Sequence, residues 1–282
     1  MSEPLVTPLV TIDDLHVDFP ARTGWQPALR GVSLSLGREK LAIVGESGSG
    51  KSVTGRALMR LLPPSARVRA KTLRFDGIDV LNAPERRMRD LRGGRIGLIL
   101  QDPKYALNPV MTAGQQIAEA LRAHQSISRR EAAERAVALL EQVQIRDPGR
   151  VARAYPHELS GGMGQRVMIA MMLAPGPDLL IADEPTSALD ASVQAEILRL
   201  LDELVDQRGM ALILISHDLP LVSRFCDKVV VMVGGRVVEQ LAARDLAQAT
   251  HPYTRGLLDC LPSLTHPRAR LPVLARDPAW FA

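Results

Sequence analysis

The chain is 282 residues long, with 46% hydrophobic, 23% charged and only 3% aromatic residues and a net charge of +4. That length holds one large domain or two small ones around a core of Leu, Val, Ile, Ala and Met. Its cysteines, Cys226 and Cys260, lie far apart without a CxxC, which excludes a disulfide scaffold and a cysteine zinc site and fits a reducing cytosol; the few aromatics count against a base-stacking nucleic-acid platform. The mild basic excess suits an anionic ligand or a negatively charged membrane surface.

The opening "MSEPLVTPLVTIDDL" has no basic segment followed by an apolar one, so no signal peptide is expected. Residues 9–19, "LVTIDDLHVDF", alternate as a strand, and 28–36, "ALRGVSLSL", reads as its hairpin partner. "LAIVG" is a short buried strand that runs into "GESGSGKS" and then into a helix, "SVTGRALMRLL", stopped by Pro63–Pro64. A strand "RIGLIL" at 95–100 ends at Gln101. From about 102 to 174 the pattern turns helical and reads as an insertion between sheet strands. Ser128 and Glu131 are spaced as a capping box for a helix whose Ala132, Ala136, Leu139, Leu140 and Val143 share a face.

Strands return with "LLIAD" at 179–183 and "ALILIS" at 211–216. Between them a helix of about 192–208 carries Ile197, Leu198, Leu201, Leu204 and Val205 as one stripe, with Asp190 or Ala191 near its start. "KVVVMVGGRVVE" at 228–239 reads as a hairpin turning at Gly234–Gly235. The tail after Thr250 is punctuated by prolines and reads as weakly structured. Strands and helices in repeated succession predict an α/β fold with a mostly parallel sheet. The longest apolar stretch, "RVMIAMMLAP", falls well short of the ~18–20 residues that cross a bilayer.

"GESGSGKS", Gly45–Ser52, fits G-x-x-x-x-G-K-[ST] between a strand and a helix, the context a phosphate loop requires. Gly45, Gly48 and Gly50 let the backbone turn so that the amides of Glu46, Ser47, Ser49 and their neighbours face the β- and γ-phosphates. Lys51 adds a mobile charge, and the Ser52 hydroxyl is a ligand for Mg²⁺. A glycine-rich turn with an incidental lysine is the bland alternative, and the flanking elements argue against it. In "LLIADEP", Asp183 can hold Mg²⁺ through a water, while side-chain alternation along the strand is expected to point Glu184 the other way, toward an attacking water. A second anion site is written in "LSGGMGQR": Ser160, Gly161 and Gly162 directly precede a helix whose N–H groups and dipole favour negative charge.

Taken in order, "GESGSGKS", "LILQDP", "LSGGMGQR", "LLIADEPTSALD" and "ILISHD" resemble the nucleotide-binding subunit of ABC transporters over nearly the whole chain. The resemblance implies a P-loop NTPase cassette over 5–250: an antiparallel N-terminal region, a mostly parallel core sheet and an inserted helical subdomain at 102–174. It implies ATP and Mg²⁺ as ligands and ATP hydrolysis as the activity. Gln101 becomes the glutamine that touches Mg²⁺ and the attacking water, and His217 the residue at the γ-phosphate. "SALD" looks like the loop that crosses to a second subunit, identical or paralogous. Ser160, Gly161, Gly162 and Gln165 would then cap ATP held by that partner's phosphate loop, which explains two phosphate sites in one chain. "YPHEL", with Glu158, is similar to the segment that contacts membrane permease subunits, and Trp25, ahead of Phe19, is the expected adenine-stacking ring. Gly164 departs from the arginine or glutamine commoner at its position.

"ILQDPKYALNPVMTAGQQIAEAL" and "HPYTRGLLDCLP" resemble the peptide and nickel importer branch, the second marking a C-terminal extension over 251–282. Members often carry a cysteine cluster for an iron–sulfur centre there; with Cys260 alone in the region, none is expected. The branch implies import of di- or oligopeptides, or of nickel or another chelated metal. It also implies a periplasmic or extracellular solute-binding protein and a peripheral place on the cytoplasmic face of the inner membrane. A soluble ABC ATPase acting on nucleic acid or ribosomes is the reading from another class. It is disfavoured because tandem cassettes, long coiled coils and zinc modules are lacking, so no nucleic-acid partner is expected. The basic run Arg86–Arg95 reads as a solvated face, with anionic lipid as the sharper alternative, and the closing "DPAWFA" leaves its own domain and a partner open as docking surfaces.

Overall fold

The computed structural model describes residues 8–261, 274 and 276–280. The chain forms two compact units, one built from the chain up to Asn82 and from Leu214 onward, the other from Ala83–Ile213.

The first unit opens with β1 (Val10–Pro20) and β2 (Trp25–Leu36), paired antiparallel with Val10 opposite Leu36 and Pro20 opposite Trp25. β3 (Lys40–Val44) follows and is almost wholly buried, as a short apolar run between turn residues predicts. It leads through the glycine loop to α1 (Lys51–Leu58). That helix ends well before Pro63, so the prolines are not its stop. Arg60 takes a left-handed φ of 50°, Leu61 N–H donates to Arg56 O and Arg60 N–H to Ala57 O, a Schellman closure with arginine where glycine is usual. β4 (Arg67–Arg69), β5 (Thr72–Phe75) and β6 (Ile78–Asp79) then complete a five-stranded antiparallel sheet in the order β2-β1-β5-β6, with β4 also on β1. These short strands carry too little pattern to be legible in the sequence.

In the second unit, α2 (Glu85–Leu91) buries Met88 and Leu91 and leaves Arg86, Arg87 and Arg89 exposed, so much of the basic run is a solvated helix face. β7 (Ile96–Ile99) follows. From there to Leu173 the named elements are helical: α3 (Pro103–Ala106), α4 (Ala113–His124), α5 (Arg129–Gln142), α6 (Pro148–Arg153) and α7 (Gly161–Leu173). Thr112 and Gln115 form a full capping box at α4. At α5 only half the expected box forms. Ser128 accepts from Glu131 N–H, but the Glu131 carboxylate turns to Arg135 one turn on. The predicted face of α5 is buried, Ala132, Ala136, Leu140 and Val143 at 1% exposure or less. β8 (Leu179–Asp183) pairs parallel with β7, Ile96 opposite Leu179. α8 (Ala191–Arg208) is capped by the Asp190 carboxylate, which accepts from the amides of Ser192 and Val193. The Ser192 hydroxyl first, then the Val193 amide, hold that carboxyl below its ordinary pKa.

β9 (Ala211–Ser216) carries the chain back to the first unit. There α9 (Leu219–Phe225) leads to β10 (Lys228–Val233), parallel to β3, and to β11 (Arg236–Ala242), the antiparallel arm of the predicted hairpin, with Gly234 and Gly235 at φ 56° and 80°. Up to Asp259 the tail departs from the expectation of weak structure, while 262–273, 275 and 281–282 lie outside the described residues. Residues from Pro252 to Asp259 form α10, whose start is tied down by Glu239 on β11. One oxygen of that carboxylate accepts from Thr250 N–H at 2.7 Å, Thr250 Oγ1 at 3.1 Å and His251 N–H at 3.2 Å. Burial works to raise the Glu239 pKa, but hydrogen bonds including those from the Thr250 and His251 amides outweigh it and bring the carboxyl below its ordinary value.

Candidate functional site

The phosphate loop is built as its sequence requires. Gly45, Gly48 and Gly50 have φ of 147°, 81° and 100°, which side chains disfavour. At two of them close packing adds a second reason. A Cβ on Gly45 would lie 2.1 Å from the Met232 carbonyl oxygen of β10, and one on Gly50 2.5 Å from Leu29 Cδ2 of β2. Gly235 N–H, in the β10–β11 turn, also donates to Ser49 O, so the hairpin seats the loop. Ser47 and Gly48 are exposed, Glu46 and Ser52 are half-buried, and Ser49, Gly50 and Lys51 are buried. Lys51 Nζ donates to the carbonyls of Gly45 and Glu46, both at 2.8 Å.

One polar atom in the loop stands out: the Ser49 hydroxyl, in a residue 3% exposed, has no hydrogen-bond partner among the described residues. A buried hydroxyl without a partner among the described residues, in a loop whose lysine rests on backbone carbonyls, fits a polyanion that could reach both. The oxygen donors of Ser52, Gln101 and Asp183 are of the hard type that Mg²⁺ selects.

The second unit holds the other expected residues. Asp183, the last residue of β8, is 7% exposed. Glu184 lies beyond the strand at φ 48°, so the alternation rule does not set its direction; a left-handed backbone does, with Ser187 N–H donating to its carbonyl. Non-glycine residues in that region are costly and gather at functional sites. Gln101 is exposed between β7 and the Asp102 cap of α3. Ser160 and Gly161 are exposed at the start of α7, where Ser160 Oγ accepts from Met163 N–H at 3.3 Å. Gly162 is required by packing, since its Cβ would lie 2.8 Å from Val193 Cγ1. Gln165 is 0% exposed, and neither amide atom has a hydrogen-bond partner among the described residues, so it belongs to the packed face of α7 rather than to the exposed helix end. A Cβ on Gly164 would meet Pro103 at an ordinary 3.4 Å, so its missing side chain is no steric necessity.

His217, in the first unit, is exposed one residue past β9. Trp25 is 40% exposed at the tip of the β1–β2 hairpin, with the Arg67 guanidinium 3.6 Å from its ring centre, and Phe19, half-buried, pairs with Gln26 beside it. Sequence reasoning missed Tyr253 of α10. Its hydroxyl accepts from Glu46 N–H at 2.9 Å, so that amide is engaged by α10 and does not face a phosphate as expected, and burial pushes the tyrosine's pKa up.

A separate groove of about 790 Å³ lies in the helical part of the second unit, lined by Val110, Met111, Ala118, Ala133 and Val137, with Arg122 and Arg153 also on its wall. Nearby in sequence, Tyr105 and Val110 are 87% and 78% exposed. Glu158 is exposed, and its carboxylate bonds back onto its own turn, accepting from Tyr155 N–H at 2.7 Å.

Residues 29–187 match the family model described as "ABC transporter", which covers more than half the chain. The chain belongs to the ABC transporter family. This ABC protein is 48% identical, over 96% of its length and 82% of the relative's, to a probable peptide ABC transporter ATP-binding protein, y4tR, of Sinorhizobium fredii. It is 47% identical to the probable D,D-dipeptide transport ATP-binding protein DdpD of Escherichia coli, over 96% of this chain and 83% of the relative. Among solved structures it is similar to the dimeric ATP-binding cassette MJ0796 in a post-hydrolysis state bound to ADP and Pi. The TM-score is 0.72 and the identity 27%, covering 83% of this chain and 99% of the other. The ABC protein is an ATPase of the cassette type, with the antiparallel and parallel strand pairings and helices that class predicts.

Proposed function

We propose that this ABC protein is the ATP-hydrolysing subunit of an importer for di- or oligopeptides. The observation that carries the reading is the match, at 47–48% identity over 96% of the chain, to ATP-binding proteins named for peptide and D,D-dipeptide transport.

In this reading the loop amides and Lys51 hold the phosphates, and the Ser49 hydroxyl gains the partner it lacks. Ser52, Asp183 and Gln101 would hold Mg²⁺, which when bound offsets phosphate charge. Glu184 orients and deprotonates the attacking water, and His217 bears on the γ-phosphate. Gln101, Ser160, Gly161 and His217 all stand exposed on the single chain, as half-sites completed by a second cassette would. Capping by Ser160, Gly161 and Gly162 of the partner's ATP makes nucleotide the link between subunits, so hydrolysis releases the dimer. The apolar groove on the helical part, with the "YPHEL" turn following it in sequence, is the surface offered to a permease. Among the described residues no helix is long and apolar enough to cross a membrane. In this reading the permease spans the bilayer and this chain sits on its cytoplasmic face. A solute-binding protein outside the membrane chooses the cargo. Trp25 stacks on adenine with its ring face opposite Arg67.

The test is uptake. Removing the gene from its host should abolish ATP-dependent entry of labelled di- and oligopeptides while leaving uptake of Ni²⁺ complexes intact, and the wild-type chain should restore it. Glu184→Gln should fail to restore it and should hydrolyse ATP about 10²–10⁴-fold more slowly with nucleotide binding retained. Loss of nickel but not peptide uptake would overturn the substrate class.

A further inference from the structure

The residues after Thr250 reach the phosphate loop from a direction its motif does not announce. Tyr253 is wholly buried in α10, its ring edge-on to Trp280 with centroids 5.5 Å apart. Its hydroxyl accepts the Glu46 N–H at 2.9 Å. From the same returning segment Arg276 pairs with the Glu46 carboxylate at 2.8 Å. Leu274 lies so close to α10 that a Cβ on Gly256 would come within 2.2 Å of its Cδ1. Backbone and side chain of one loop residue are therefore both held by the C-terminal extension.

The held group matters because of what rests on its other end. The N–H of Glu46 and the carbonyl of Gly45 belong to one planar peptide unit, so fixing the direction of one fixes the other. That carbonyl is a seat of Lys51 Nζ, at 2.8 Å. Gly45 has no Cβ to restrain the peptide, and glycine's wide choice of backbone angles lets it turn. Without an acceptor for Glu46 N–H the peptide could rotate, moving the lysine's seat and the amides that follow it.

We propose that the C-terminal extension is part of the nucleotide site: Tyr253 and Arg276 are positioning residues that fix the Gly45–Glu46 peptide and so keep the phosphate loop in shape for its ligand. This rests on reading Gly45–Ser52 as the ATP site. The extension touches neither phosphate nor water in this account; it acts through Glu46.

Four full-length proteins test it: wild type, Lys51→Ala, Tyr253→Phe and Arg276→Gln. MgATP and MgADP binding is measured by calorimetry, and exchange of the Glu46 amide by hydrogen–deuterium exchange without nucleotide. Tyr253→Phe keeps the buried ring and removes the acceptor. It should weaken ATP and ADP equally, about 5–10-fold, the size of one hydrogen bond, and speed Glu46 exchange at least as much. KM for ATP should rise by the same factor, with kcat altered less than about 2-fold, as lost ground-state positioning requires. Arg276→Gln, on an exposed pair, should weaken binding about 2–3-fold and covers the case in which Tyr253→Phe does not fold. Wild-type affinity and wild-type Glu46 exchange in either folded variant would overturn the positioning role. So would a lower melting temperature with no change in affinity. Lys51→Ala should abolish binding whether or not Tyr253 contributes. Lost binding there beside a wild-type-like Tyr253→Phe refutes the positioning role alone, whereas a wild-type chain that binds no ATP refutes the reading of the loop as well.

Discussion

Gly45→Ala is the sharpest perturbation the structure offers, because two costs fall on one methyl group. The first is conformational: φ of 147° is a region L side chains avoid, at about 1–2 kcal/mol. The second is steric. The new Cβ would sit 2.1 Å from the Met232 carbonyl oxygen and 2.9 Å from Ser49 Oγ. The carbonyl is backbone of the buried strand β10 and cannot swing away as a side-chain tip would, so the overpacking cost of about 1–3 kcal/mol applies. The sum is about 2–5 kcal/mol. For a chain of this size that lowers the melting temperature by about 3–9 °C. Gly48→Ala is the matched control. Its φ of 81° carries the conformational cost, but among the described residues nothing lies within 4 Å of the added Cβ. It should lose only about 2–3 °C. Thermal unfolding of both variants without nucleotide, followed by circular dichroism, reads the difference. Equal melting temperatures would refute the argument, since they would mean that β10 and the loop separate at no cost.

Ser160→Arg, at the exposed start of α7, should leave ATP binding to the single chain within about 2-fold, because Ser160 is not part of the loop that holds it. ATP-dependent dimers of Glu184→Gln chains should be lost when Ser160→Arg is added, read by size-exclusion chromatography with light scattering; intact dimers would remove the role in trans. Glu239 gives a pH dependence of known sign. Its carboxyl is lowered from 4.5 in the folded chain, so the stability it lends is complete above that value and drains away as pH falls through the lower native one. The amides at the start of α10 should therefore lose exchange protection on acidification, and Glu239→Gln should show reduced protection already at neutral pH with a flatter acid response.

Several parts of this protein were legible one segment at a time. "LLIAD" and "ALILIS" form strands with the predicted bounds, because short apolar runs closed by turn residues leave little choice of length. Gly234–Gly235 turns a hairpin because both positions need positive φ. The glycines of Gly45–Ser52 announce a turning loop, and Gly45, Gly48 and Gly50 all take positive φ. Asp190 caps its helix through its own neighbours, a bond between residues two and three apart.

The tertiary structure decided what no window of neighbours contains. The end of α1 fell to a left-handed arginine rather than to the prolines, because a Schellman closure depends on how the last turn packs and not only on which residue can break a helix. Gln165, polar and near the signature glycines, was drawn into the packed side of α7 by the helix's orientation. Glu184 is aimed by a turn that begins where β8 stops. The largest misreading was the tail, whose prolines hid a helix with a wholly buried tyrosine. Residues 251–260 carry no strong helical signal of their own; α10 is held by Glu239, Trp280 and the bond from Tyr253 to Glu46, residues 207 apart in the chain. Local composition determines which turns and strands a segment can make, because those depend on torsions and near neighbours. Which polar group meets which across the fold is settled only when distant segments are packed together, since the energy that fixes such pairs does not exist until both are buried.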